Sequence, residues 1–222
     1  DTEEKTTGKN LYSYQKGAID KIFERFENSP NDYHLLYQLP TGGGKTVIFS
    51  EIVRQYLKHH KSRVLVLTHR IELCKQTSNM LTEFGVVNKV INSKAKLDDQ
   101  NDYSCFVAMV ETLNNRLTDN VLDISDIGLV IIDEAHYNSF TKLFKFFHKS
   151  FILGVTATPL SSNIELPMTD NYDELIVGES IESLIQNNFL SRAETFIYNV
   201  GLTSLVVGAN GDYTVKSSED LY

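Results

Sequence analysis

Along most of the chain, short apolar runs alternate with longer segments whose apolar positions recur every three or four residues. Six runs read as strands, at residues 33–39, 63–68, 88–92, 104–109, 128–133 and 151–156. Between them, residues 14–27, 45–59, 71–84, 111–117 and 140–148 carry helical spacing. The strand-like runs are apolar nearly throughout instead of alternating, as expected of strands covered on both faces. Such strands, separated by helices, imply βαβ units. The expected fold is α/β: a three-layer domain with a mostly parallel central sheet flanked by helices, over residues 11–165.

Outside that span the pattern changes. Residues 1–10 are polar and are expected to be a flexible N-terminus. Past Pro159 the rhythm breaks: residues 160–174 read as loop, 181–187 as a short helix, and 190–200 and 202–207 as strands, with Asn210-Gly211 as a hairpin turn. Residues 166–222 are too few for a second domain of the same kind and are read as a tail or a connection onward.

Composition narrows the class. The 222 residues are 41% hydrophobic and 23% charged, which excludes a disordered tail, a collagen-like fibre and a disulfide scaffold. A net charge of −8 argues against a generally basic nucleic-acid coat, though one face can still carry a basic patch. Cys74 and Cys105 stand far apart with no partner motif, so two free thiols in a reducing compartment are expected. No run approaches the ~20 apolar residues of a membrane span, and no charged-then-apolar segment opens the chain at Asp1, so the expected location is cytoplasmic. His34, His59, His60, His69 and His148 lack metal-ligand spacing, and no zinc site is expected.

The strongest local signal is Pro40-Thr41-Gly42-Gly43-Gly44-Lys45-Thr46, directly after a strand and before a helix. Glycines let backbone N–H groups turn inward around phosphates, and the helix N-terminus adds partial positive charge. Lys45 would reach the β and γ phosphates and the Thr46 hydroxyl would ligate Mg²⁺. The strict pattern has glycine five residues before Gly44; this chain has Leu39, where the strand ends.

A second signal closes the strand at 128–133, where Gly128-Leu129-Val130-Ile131-Ile132 runs into Asp133-Glu134-Ala135-His136. A carboxylate ending a buried strand is costly unless something pairs with it. Asp133 can pair through a water of the Mg²⁺ held by Thr46. Glu134 would orient and deprotonate the water that attacks the γ-phosphate. His136 takes its meaning from these neighbours.

This order of motifs resembles the first RecA-like domain of a superfamily 2 helicase of the DEAD/DEAH kind, over roughly residues 11–160. The resemblance implies ATP and Mg²⁺ as cofactors and a RecA-like P-loop fold. Leu39–Thr46 matches motif I, and Asp133–His136 matches motif II, which puts His136 beside the nucleotide. Tyr14-Gln15 resembles the Q motif, whose glutamine reads the adenine edge. Many relatives have Leu-Arg-Pro-Tyr-Gln there, whereas Leu11-Tyr12-Ser13-Tyr14-Gln15 lacks the Arg and the Pro. Thr68-His69-Arg70 resembles motif Ia and Thr112 falls in the segment of motif Ib, so all four are implied to lie along nucleic acid. Thr156-Ala157-Thr158-Pro159 matches motif III, which makes Thr156 and Thr158 the coupling residues. Independently, Thr68, Arg70 and Thr112 fall at the C-terminal ends of expected parallel strands, where ligands gather in open α/β sheets, and hydroxyls and Arg are usual phosphate binders. The segment from Tyr172 to Ser191 is similar to RadD-type repair helicases and restriction-enzyme translocase subunits, which favours DNA over RNA.

The second RecA-like domain of that family supplies arginines that reach the γ-phosphate. Here the residues after Pro159 hold a single arginine, Arg192. Because such an arginine is worth roughly 10³–10⁵ in rate, the chain is expected to hydrolyse ATP weakly until a C-terminal second RecA-like domain completes it. An ATP-dependent DNA helicase or translocase is therefore expected, with no membrane partner. An RNA helicase of the same architecture and an ATP-gated nucleic-acid clamp that never unwinds stay open.

Overall fold

The computed structural model of the chain describes residues 11–39, 44–135, 138–157 and 171–178, together with Gln186. The elements run α1 (Ser13–Asn28), β1 (His34–Gln38), α2 (Lys45–His59), β2 (Arg63–Thr68), α3 (Ile71–Glu83), β3 (Lys89–Ile91), β4 (Cys105–Met109), α4 (Val110–Thr118), β5 (Ile127–Asp133), β6 (Phe151–Thr156) and β7 (Glu174–Val177). Short 3₁₀ segments lie at Gln100–Asp102 and Asn138–Phe146. All seven strands pair in parallel, in the order β3-β4-β2-β5-β6-β1-β7. No described helix is long and apolar enough to cross a membrane.

The apolar strands are buried on both faces because alternate residues feed two separate cores. Leu35, Tyr37, Val64, Val66, Val107, Ile131 and Leu153 join α1, α2 and α3 on one face. Leu36, Leu65, Leu67, Phe106, Val130, Ile132 and Ile152 join α4 and the 138–146 segment on the other. Both β2 and β6 are buried at every position, each large aliphatic side chain contributing about 1.5–3 kcal/mol. Cys74 and Cys105 are free and buried, and burial pushes the Cys105 thiol up to about 12.

Two elements depart from the expected pattern. Residues 138–146 wind as a 3₁₀ helix instead of the α-helix expected over 140–148. Phe140 and Leu143 are both buried against the sheet, with Phe146 partly buried beside them. A spacing of three is the period of a 3₁₀ turn, so these side chains line one edge. The other departure is β7, which patterning missed because only Ile176 of its four residues is buried. It adds to β1 at the sheet edge, where Arg25 Nε donates to both Glu174 carboxylate oxygens at 2.6 and 2.9 Å and the Tyr33 hydroxyl donates at 2.9 Å. The expected strands at 190–200 and 202–207 and the 210–211 turn lie outside the described residues. Of the expected 181–187 helix only Gln186 is described, and it is helical.

Candidate nucleotide-binding site

Parallel pairing sends every strand's C-terminal end to one edge of the sheet, and the sequence-predicted residues collect there. β6 lies between β5 and β1, with Asp133 opposite Val155 and Gln38 opposite Thr156. Thr156 is thus fully buried between the acidic box and the strand that feeds the phosphate loop, and its carbonyl accepts from Leu39 N at 2.9 Å. The turn after β5 is fastened in turn by Ala135 N donating to Val155 O at 3.0 Å.

Of the phosphate loop, Gly44 and everything C-terminal to it are described. Gly44 has φ +74°, a conformation that costs an L side chain strain. A Cβ there would also stand 2.3 Å from Gln15 Nε2. Gln15 therefore lies buried on the main chain at the N-terminus of α2, tethered by Tyr12 N donating to its Oε1 at 2.9 Å. Tyr14 shares this corner: burial raises its hydroxyl pKa, the Tyr12 phenol adds to that, and a hydrogen bond with Gln15 opposes. The Tyr12 and Tyr14 rings stack at 6.1 Å with 12° between planes.

Lys45 faces the acidic box. Its Nζ lies 3.2 Å from Asp133 Oδ1 and donates a hydrogen bond to Glu134 Oε1. Both carboxylates are buried, at 3% and 2% exposure. Asp133 Oδ1 is shut from solvent and receives no hydrogen bond among the described residues, only the Lys45 charge at 3.2 Å. Glu134 sits at φ +57°, a backbone state that costs a non-glycine residue on the order of 1–3 kcal/mol and that gathers at functional sites. Burial raises its carboxyl pKa; Lys45 pulls it down, Asp133 pushes it up, and Arg70 pulls it down further. Lys45, Thr46, Asp133 and Glu134 share the wall of a cavity of about 430 Å³ with Arg70, Glu72, Leu73 and Gln76. A left-handed glycine at the N-cap of α2, a lysine paired with two buried carboxylates and the Thr46 hydroxyl on the cavity wall are a set of groups that fits a Mg²⁺-nucleotide.

The nucleic-acid candidates divide. Thr68 is fully buried, and its hydroxyl donates to Arg70 O at 3.2 Å and lies 2.9 Å from Cys74 Sγ; it braces the turn from within. His69 is half-buried, and burial lowers its pKa, reinforced by Arg70 and Lys45 and opposed by Asp133. Thr112 stands partly exposed in the first turn of α4, at the end of the strand beside β2. Thr41, Gly42, Gly43, His136 and Thr158 lie outside the described residues. Glu72, Leu73 and Gln76 were missed by the motif reading. Their spacing on α3, directly after Arg70, was the available signal.

Residues 8–161 match the family model described as "Type III restriction enzyme, res subunit". The chain belongs to this family. It is 31% identical over 201 residues to the putative ATP-dependent helicase IRC3 of Saccharomyces cerevisiae, covering 83% of this chain and 28% of that protein. It is 25% identical over 204 residues to the ATP-dependent DNA helicase MPH1 of Debaryomyces hansenii, covering 85% of this chain and 16% of that one. The chain thus spans well under half the length of these relatives. Among solved structures, the Pyrococcus furiosus Hef helicase domain superposes with a TM-score of 0.64 at 20% identity, over 79% of this chain and 40% of Hef. The Type ISP restriction-modification enzyme LlaGI, in complex with a DNA substrate mimic, gives 0.62 at 18% identity, over 88% of this chain and 22% of its own. The fold is that of a RecA-like helicase domain, and the ordered motifs are those of the N-terminal RecA-like domain of a superfamily 2 helicase.

Proposed function

We propose that the chain is the ATP-binding motor domain of an ATP-dependent DNA helicase or translocase, coupling Mg²⁺-ATP hydrolysis to movement on nucleic acid. The observation that carries this reading is Lys45 held between Asp133 and Glu134 at the N-terminus of α2, next to left-handed Gly44. On nucleotide entry Lys45 exchanges the two carboxylates for β and γ phosphate oxygens, a charge-assisted contact of the same kind. Thr46 and Asp133 would hold Mg²⁺, which would supply neutralising charge to the phosphates. Glu134, freed from Lys45, orients the attacking water and takes its proton; a carboxyl pKa raised by burial makes it a better base near neutral pH. Gln15, resting on Gly44, reads the adenine edge. Thr41, Gly42, Gly43 and His136 complete the nucleotide contacts.

On the nucleic-acid side, His69, Arg70 and Thr112 track the backbone at the ends of neighbouring strands, with Thr68 bracing the turn. Thr156 and Thr158 link that edge to the nucleotide. DNA is favoured because MPH1 is named a DNA helicase and LlaGI was solved with a DNA substrate mimic. A second RecA-like domain, C-terminal to this one, completes the motor. Steady-state ATP hydrolysis by the 222-residue chain, alone and with single-stranded DNA, duplex DNA or RNA, tests the proposal. Slow turnover alone, ATP binding, and greater stimulation by DNA than by RNA are expected. Absence of ATP binding under every condition overturns the proposal, and a requirement for the 2′-OH makes the substrate RNA.

A further inference from the structure

We infer that residues 171–178, past the stretch at 8–161 that matches the family, are a working part of the nucleotide site: Tyr172 positions the acidic turn, and Gly178 positions the main chain that enters the phosphate loop. The inference rests on the nucleotide reading of that edge and adds to it two positioning residues that the ordered motifs do not contain.

The segment is fastened to the body of the domain at its start. His34 N donates to Asp173 Oδ2 at 2.8 Å, Asp173 N donates to His34 O at 2.8 Å, and His34 Nδ1 lies 2.9 Å from Asn171 O. Glu174 adds its hydrogen bonds from Arg25 and Tyr33. From this anchor Tyr172 packs on the face of the sheet that α4 covers, with its ring edge-on to Phe144 at 6.2 Å. The far end of the phenol fills the space that Gly154 of β6 leaves open. A Cβ on Gly154 would stand 2.6 Å from Tyr172 Oη, 2.8 Å from its Cζ and 2.9 Å from Ala135 Cβ. Tyr172 and Ala135 therefore crowd one point, and burial raises the pKa of the Tyr172 hydroxyl. Ala135 directly follows Glu134, whose left-handed backbone persists only while its surroundings hold it.

The other end of the segment meets the other half of the site. Gly178 N donates to Gln38 O at 2.8 Å, while on the far side of β1 Leu39 N donates to Thr156 O at 2.9 Å. The exit of β1, directly before Pro40, is thus gripped from both sides. A Cβ on Gly178 would stand 2.6 Å from Gln38 O and 2.9 Å from both Leu39 Cδ2 and Tyr37 Cε1. The first of these is main chain, so a side chain at 178 has to push the entry of the loop aside. The rest of β7 has no such constraint: Leu175 and Val177 are exposed.

The test uses the full 222-residue chain as wild type, Tyr172→Leu, Tyr172→Phe, Gly178→Ala and Val177→Ala, the last a control at an exposed position of β7. Each is followed by thermal melting, calorimetric titration with Mg²⁺-ATP and single-turnover hydrolysis with protein in excess. Tyr172→Leu withdraws the far end of the side chain. It should slow hydrolysis about tenfold or more, inside the roughly 10²-fold that a misplacement of about 1 Å can cost, with ATP affinity held within about threefold. Tyr172→Phe keeps the ring and should retain most of the rate. Gly178→Ala should weaken ATP binding about tenfold, the equivalent of one displaced contact to phosphate. Val177→Ala should change neither quantity. A segment that only stabilises the fold would lower the melting temperatures and leave the rate of folded Tyr172→Leu and the affinity of folded Gly178→Ala unchanged; either unchanged value overturns the inference. So does a loss of affinity in Val177→Ala equal to that in Gly178→Ala. Wild type that binds no ATP would overturn the nucleotide reading and this inference with it, whereas normal binding by wild type and all variants removes the inference alone.

Discussion

Two buried clusters of charge stand at opposite ends of the sheet, and they are built on opposite terms. At the N-terminal edge, Arg63 of β2 donates from Nε to both Asp126 oxygens at 2.7 and 2.9 Å. Its remaining nitrogens donate to Gln100 O at 3.1 Å and Asp123 O at 2.8 Å, and its guanidinium lies 5.0 Å from the centre of the Phe106 ring. At the C-terminal edge, Lys45 faces two carboxylates, one of which meets it at 3.2 Å without a hydrogen bond while the other sits in a left-handed backbone state. The first cluster satisfies its arginine and fastens a 3₁₀ turn and a loop to the start of a strand. The second keeps capacity in reserve and opens onto a cavity. A buried charge that spends all its partners reads as structure; one that holds partners back reads as a site for something that arrives.

The comparison breaks most visibly at Glu134. In single-turnover assays with the chain in excess, Glu134→Gln should bind ATP as well as wild type while the rate falls roughly 10²–10⁴-fold, the usual worth of a positioned base. Normal turnover would strip Glu134 of its role and leave the contrast between the clusters without content. Next in size is Arg63→Ala, which leaves backbone acceptors and a half-exposed carboxylate without their donor. Urea unfolding should show a loss of about 1–2 kcal/mol, since two backbone acceptors lose a charged donor while the exposed Asp126 carboxylate turns to water, with ATP affinity unchanged in the folded fraction. An affinity that falls with stability would mean that the two ends are not independent.

The smallest effect concerns Glu51 in α2, a buried carboxylate whose partners are all local. Burial by itself would raise its pKa, but hydrogen bonds from Arg54 and Gln55 outweigh that and hold it below the ordinary value of 4.5. A carboxyl depressed in the folded state stabilises fully above its unfolded pKa and stops doing so as pH falls through the folded value. Melting temperatures followed from pH 7 down to pH 3 should therefore fall more steeply in wild type than in Glu51→Gln. Parallel curves would show that this pair contributes nothing, which would weaken the reading of satisfied clusters as structural.

Much of this was legible in the chain. The six expected strands appear at or within two residues of their expected bounds, because strands buried on both faces leave short, nearly continuous apolar runs between helical segments. The acidic box was legible for the same reason: Asp133 and Glu134 interrupt such a run where charge is expensive. What escaped notice depended on one-sided burial or on direction. β7 buries only Ile176, too little to make a pattern. Residues 138–146 have apolar spacings compatible with either helix, and only packing on the sheet selects the tighter one. Thr68 was legible as a residue of the turn after β2, but its burial and its 2.9 Å contact with Cys74 join residues six apart, which no local pattern encodes. The contact between Gln15 and Gly44 likewise depends on how α1 crosses the start of α2, which no local pattern encodes.

The most direct test of the central claim, that the C-terminal-edge cluster receives a Mg²⁺-nucleotide, is calorimetric titration of Mg²⁺-ATP into wild type and Lys45→Ala, both shown to melt cooperatively. Wild type should bind one nucleotide, and Lys45→Ala should bind it roughly 10- to 100-fold more weakly, the equivalent of one or two lost charge-assisted hydrogen bonds. Equal affinity in the two proteins would contradict the account, because Lys45 would then belong to its two carboxylates alone.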